Sequence, residues 1–145
     1  MAFRFTLETV LRYRENLESR EEAALQTIVQ QIATVAATID QVTAQIAAAN
    51  RTRGELLAQP VNALYLQAIL NEITAAGKQR AELLHTLAAL EQKRDEQLKV
   101  YHAAHRNRQM LSDMLDDQQG VWEQERTRSE QKTLDDLFAA RTQRA

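Results

Sequence analysis

His102 and His105 stand one helical turn apart in "VYHAAHRNR", a spacing at which two imidazoles can share a metal ion. His85 lies more than four turns away and no third ligand is evident, so beside Lys99, Arg106 and Arg108 the pair reads as part of a solvated polar face. With no cysteine, the chain has no thiolate ligand, cysteine nucleophile or disulfide framework, a usage compatible with a cytosolic home. Asp116 and Asp117 are adjacent carboxylates, but nothing around them suggests a pocket that would raise one pKa for acid–base work. The three glycines are scattered, which leaves no phosphate-cradling loop or dinucleotide fingerprint, and no serine sits on a nucleophile elbow. The sequence therefore predicts no catalytic residue, no metal site, no cofactor and no enzymatic activity. The stretch from Lys93 to Arg108 is moderately basic, but Asp95 and Glu96 dilute it and Tyr101 is its sole aromatic residue. Together with a net charge of −2, this argues against nucleic acid as a partner and for a charged helix face able to meet an acidic protein surface.

If chemistry is absent, the elements themselves carry the function. In 145 residues there are three glycines and one proline, and Ala, Leu, Gln, Glu and Arg dominate, a composition for helices in a single domain. Aromatic residues make up 5%, thin for a compact core and better suited to a narrow buried stripe. The N-terminus is charged from Arg4 onward, without a signal-peptide run, and the weakly charged stretch 23–50 is interrupted by Gln and Thr. No stretch is expected to approach the roughly 20 apolar residues that span a bilayer, so a soluble protein is expected.

Thr6 is a candidate cap for a first helix over about 6–58, and Pro60 places a turn at about 59–63. A second helix then runs over about 64–140, with Gly77 and Gly120 each costing about 1 kcal/mol relative to alanine. Leu25, Ile28, Ile32, Val35, Ile39, Val42 and Ile46 alternate three- and four-residue steps on the first helix. On the second, Leu66, Ile69, Ile73, Ala76, Leu83, Leu87 and Leu90 share one heptad frame, which continues through Tyr101, Ala104, Leu111 and Leu115 with Arg80, Arg94 and Arg108 interrupting it. The fold class is all-α: a long antiparallel two-helix coiled coil whose second helix overhangs at the C-terminus. Mirrored about Gln59, Ile46 falls near Asn71 and Leu25 near Gln92, and the overhang begins near Ser112. At 1.5 Å per residue each arm spans roughly 80 Å or more.

Two features exceed what the hairpin needs. Between Ala23 and Asn50 Asp40 is the only charge, so the faces away from the seam are either a neutral Ala, Gln and Thr surface or a docking site for a further protein. Val121 and Trp122 fall in the expected overhang, where they read as a local hydrophobic contact or as an anchor for another protein.

The ends carry a resemblance. "FRFTLETVLRYRE", with Phe3, Phe5, Leu7, Leu11 and Arg14, resembles the amino-terminal signature of the flagellar export protein FliJ family. "WEQERTRSEQKTLDDLFAARTQR" resembles its carboxyl end, where Glu130, Gln131 and Lys132 precede the acidic pair Asp135 and Asp136. The resemblance implies a cytoplasmic component of the flagellar type III export apparatus, peripherally associated with the inner membrane through its partners and mostly monomeric in isolation. The partners it implies are the hexameric export ATPase, the cytoplasmic domain of the membrane export gate protein, and export chaperones. Under that reading Phe3, Phe5, Leu7, Arg14, Gln131, Lys132 and Asp135 are candidates for ATPase contact. Val35, Ile39, Asp40, Val42, Ile46, Ile69, Leu70, Ile73, Ala76 and Arg80 are candidates for gate contact, with Asp40, Leu70 and Arg80 the better probes because the seam isoleucines hold the hairpin together. The alternatives are an injectisome stalk and a structural coiled coil that self-assembles.

Overall fold

Pro60 lacks an N–H to continue a helical ladder, and the chain divides there. In the computed structural model, which describes residues 2–60 and 62–144, two helices are present, α1 (Glu8–Leu57) and α2 (Ala63–Gln143). They pack against each other as an antiparallel hairpin, and no strand occurs among the described residues. Met1, Val61 in the expected turn, and Ala145 lie outside the described residues. α1 opens after a turn at Thr6 and Leu7, where the Glu8 N–H donates to the Phe5 carbonyl at 3.3 Å and the Leu11 N–H to the Leu7 carbonyl at 2.9 Å. Glu8, in this first turn, suits the positive end of the helix. α2 has a cap that the sequence reading passed over: the Asn62 side-chain oxygen accepts the Leu64 N–H at 2.9 Å, satisfying one of the donors a helix start leaves free.

The chain forms two units, Glu21–Val100 around the turn, and Met1–Arg20 with Tyr101–Ala145. In the turn unit the seam is buried at Ile39, Val42 and Ala49 on α1 and at Ile69 and Ala76 on α2. Leu25, Ile28, Ile32, Val35 and Ile46 on α1, with Leu66, Ile73, Leu83, Leu87 and Leu90 on α2, are half-buried along the same frame. Polar bonds across the pair fix its register. Gln97 Nε2 donates to the Glu21 carbonyl at 3.1 Å and to its carboxylate at 2.6 Å, while Gln45 Nε2 reaches Glu72 Oε1 at 3.5 Å. Both pairings match the mirror expected about Gln59.

The arginines that interrupt the apolar frame of α2 stay on the seam. Arg80 and Arg94 are half-buried, and Arg80 Nε donates to the Thr43 hydroxyl at 3.0 Å, which in turn donates to the Ile39 carbonyl at 2.8 Å. A long aliphatic stem lets arginine cover apolar neighbours while its head finds a polar partner, so the frame tolerates the substitution.

The weakly charged run of α1 is more apolar than expected. An 18-residue window of this helix averages a hydropathy of 1.2 with at most two charged side chains, enough by length and composition to cross a membrane, and 17% of that window is buried. The Ala, Val and Ile content outweighs the interrupting Gln and Thr. Thr27, Thr34, Thr38, Thr43 and Thr52 also donate their hydroxyls to carbonyls four residues back, so each spends its donor within the helix. The buried positions of this run, Ile39, Val42 and Ala49, follow the seam.

In the other unit Phe5 and Leu11 are buried, as is Ala104 of α2. Residues 2–5 are not helical and run on past the start of α1, which places Phe3 against Trp122 with ring centroids 5.9 Å apart. The overhang therefore begins after Trp122, not near Ser112. The physical reason is that non-helical chain advances up to about 3.3 Å per residue against 1.5 Å in a helix, so a few residues cover more of α2 than a mirrored helix would. From Glu123 to Arg144 every residue is exposed.

Candidate partner-binding surfaces

The expected ATPase contacts all fall in the unit that contains both ends. Phe5 is buried and Phe3, Leu7 and Arg14 are half-buried, so the amino-terminal candidates mainly fasten the first residues to α2. The Arg14 guanidinium lies 5.8 Å from the centre of the Tyr13 ring. Gln131, Lys132 and Asp135 are exposed on the overhang. Trp122 has the local contact with Phe3, and the Arg126 guanidinium sits 5.5 Å from its ring centre while bonding Glu130 at 3.0 Å.

The strongest apolar feature of the overhang was missed by the sequence reading. Leu134, Leu137 and Phe138 are among the most exposed large hydrophobic residues, with Phe138 at 74%. Their three- and four-residue spacing puts them on one helix face, and beyond Trp122 that face has no covering arm. The signal lies in that spacing, on the same stretch as the motif residues Gln131, Lys132 and Asp135.

A second group was read as interruption or solvated surface and is instead a polar cluster within the same unit. Glu18 accepts from Arg108 through both carboxylate oxygens, the longer bond being Nη2 to Oε1 at 3.4 Å, and Oε1 lies 3.3 Å from His105 Nδ1. The Arg108 hydrogen bonds, and to a lesser degree His105, hold the Glu18 carboxyl below its ordinary value against the opposing effect of burial, and Glu18 raises Arg108. His105 is thus engaged with a carboxylate, and His102 lies beside Tyr101 with ring centres 5.7 Å apart. No group of three or more potential metal-binding side chains occurs among the described residues.

The sign of the linkage follows from the lowered carboxyl. Its contribution to stability is present in full above the ordinary value of 4.5 and is lost as pH falls through the lowered one. Glu18→Gln is expected to destabilise the hairpin by about 1–3 kcal/mol at neutral pH. In thermal melts followed by circular dichroism, the gap between wild type and variant should stay constant well above pH 4.5 and narrow progressively as pH falls below it. A gap independent of pH would refute the assignment.

The expected gate contacts all lie in the turn unit. Ile39, Val42, Ile69 and Ala76 are buried, Val35, Ile46, Leu70, Ile73 and Arg80 are half-buried, and Asp40 is exposed. The buried four are committed to holding the helices together. Asp40, Leu70 and the accessible part of Arg80 are what a further protein could touch, set in a surface of alanines and threonines whose hydroxyls already have partners.

Among families of known proteins, a family model described as "Flagellar FliJ protein" matches residues 3–145 of this chain. Comparison with curated proteins and with solved structures returned no match.

Proposed function

The chain belongs to the flagellar FliJ family and is thus a component of the flagellar export apparatus, and from that premise we propose that it couples the export ATPase ring to the membrane export gate as a coiled-coil stalk or chaperone escort without catalysis of its own. The observation that carries this reading is the overhang: α2 continues as helix from Glu123 to Gln143 with every side chain exposed, although Leu134, Leu137 and Phe138 lie on one face. A helix with an uncovered apolar stripe gains stability by laying that stripe in a partner's groove. The ATPase is assigned to this end, through the overhang with Gln131, Lys132 and Asp135 and the fastened segment with Phe3, Phe5, Leu7 and Arg14. The gate is assigned to the turn unit, through Asp40, Leu70 and Arg80. Export chaperones are further partners under this reading, and any association with the inner membrane is peripheral and runs through these proteins.

Coprecipitation with the purified ATPase and with the gate's cytoplasmic domain, each tested alone, separates the two assignments. Truncation after Gly120 should abolish ATPase capture and leave gate capture unchanged. Retained ATPase binding by the truncated chain refutes the first assignment, and joint loss of both refutes their separation.

A further inference from the structure

Burial alternates along residues 2–7. Ala2, Arg4 and Thr6 are exposed, Phe3 and Leu7 are half-buried, and Phe5 is 6% exposed. A period of two belongs to an extended segment that turns every second side chain to one side. In a sheet such a segment is secured by a ladder of backbone bonds, and here there is none. Among the described residues the Phe5 carbonyl accepts from the Glu8 N–H, and no other backbone bond or ion pair holds residues 2–5. Arg4 and Asp117 line one groove with Phe3 and Trp122 but are not paired. The segment is therefore held by apolar side chains, and unevenly. Phe5 is buried, in a groove that Leu11 of α1 and Leu115 of α2 also line. Phe3 is half-buried against Trp122, with the ring planes inclined by 55°. Ordering residues 2–4 costs conformational freedom that no backbone bond offsets, so their closure depends on that ring pair.

Trp122 is also where the covered part of α2 ends, since every residue from Glu123 to Arg144 is exposed. Arg126, one turn further on, stacks its guanidinium on the Trp122 ring, and its Nε donates to Glu130. Both members of the Arg126–Glu130 pair are 63% exposed, so the pair by itself adds little to the helix. Stacking on an aromatic face adds more when the ring is held in one orientation. Phe3 supplies that hold. Phe3, Trp122, Arg126 and Glu130 thus form one row that leads from the extended segment into the overhang.

We propose that residues 2–5 are a latch hinged at Phe5. When it is closed, Phe3 fixes the Trp122 ring and, through Arg126, clamps the first turns of the overhang. When it is open, Trp122 is bared and those turns loosen. The latch gives the overhang a support that α1, which starts at Glu8, does not reach far enough to supply. It is a property of the isolated chain and is independent of the assignment of ATPase and gate.

Trp122 is the single tryptophan, so its fluorescence reports the latch directly. In the full chain, Phe3→Ala should shift the emission to the red and open it to acrylamide quenching. Amide hydrogen exchange should quicken roughly fivefold over residues 122–130 and stay unchanged in the turn unit. Phe3→Tyr keeps a ring and should match the wild type in both readouts. Arg126→Ala should quicken the same amides, and combining it with Phe3→Ala should be no faster than the quicker single variant, because both act on one row. If Phe3→Ala lowers helix content throughout the chain, Phe3→Leu, which keeps apolar bulk without the ring, makes the same comparison. Any of three results overturns the proposal: unchanged Trp122 emission, unchanged exchange beyond Trp122, or effects of the two substitutions that multiply.

Discussion

Val42→Asp is expected to separate α1 from α2 in the turn unit and to cost more than about 3 kcal/mol, the range for a charge left buried without a partner. Val42 is 4% exposed, the most buried residue of the seam, and its neighbours on the frame are Ile39, Ile46 and Ala49. On α1 nothing within a turn on either side carries a cation, since Asp40 is the sole charge between Ala23 and Asn50, and Arg80 across the seam is already bonded to the Thr43 hydroxyl. The introduced carboxylate would have to leave the seam, and the helices would have to part to let it reach water. Val29→Asp is the matched control: Val29 is exposed, and the same change there should alter stability by less than about 0.5 kcal/mol. Thermal unfolding by circular dichroism, with hydrogen exchange along α1, reads both. Equal melting temperatures for the two variants would mean that the α1 seam is not what holds the hairpin.

The second large effect concerns binding. Leu137→Glu with Phe138→Glu is expected to weaken capture by the export ATPase roughly 30-fold, about 2 kcal/mol, with helix content unchanged. Leu137 is 63% and Phe138 74% exposed, so neither substitution removes a buried contact from the isolated chain. Both replacements are good helix formers, and the overhang is already solvated. A loss of affinity without loss of helicity would place the apolar stripe in the interface. If instead only Gln131→Ala, Lys132→Ala or Asp135→Ala reduces binding, the overhang acts through its polar residues and the stripe has another purpose.

Much of the fold was legible because helix pairing is written in periodicity. The alternating steps from Leu25 to Ile46, the heptad frame from Leu66 onward and the single proline sufficed to predict two helices packed as an antiparallel pair, with a register that the Gln97–Glu21 bonds match. The surfaces were less legible, for three physical reasons. Non-helical chain covers length cheaply, so Phe3 reaches Trp122 where a mirrored helix would end sooner. Polar residues on a heptad frame are ambiguous in sequence: Arg80 and Arg108 look like breaks until Thr43 and Glu18 are found opposite them. Exposure is a property of what is missing, and Leu134, Leu137 and Phe138 reveal themselves only once the end of the covering arm is known.

The threonine hydroxyls of α1 have a mechanical consequence. Directional bonds act as teeth: a surface that offers fixed donors and charges favours one alignment of its partner and resists the next. Along α1, Thr27, Thr34, Thr38 and Thr43 turn their donors back into the helix, and between Ala23 and Asn50 the charge pattern is blank but for Asp40. Apart from the exposed amides of Gln26, Gln30, Gln31 and Gln41, a protein lying there would meet methyl groups and be held by dispersion, which changes little from one residue to its neighbour. Such a face behaves as a bearing: it carries load across its width and offers little friction along its length.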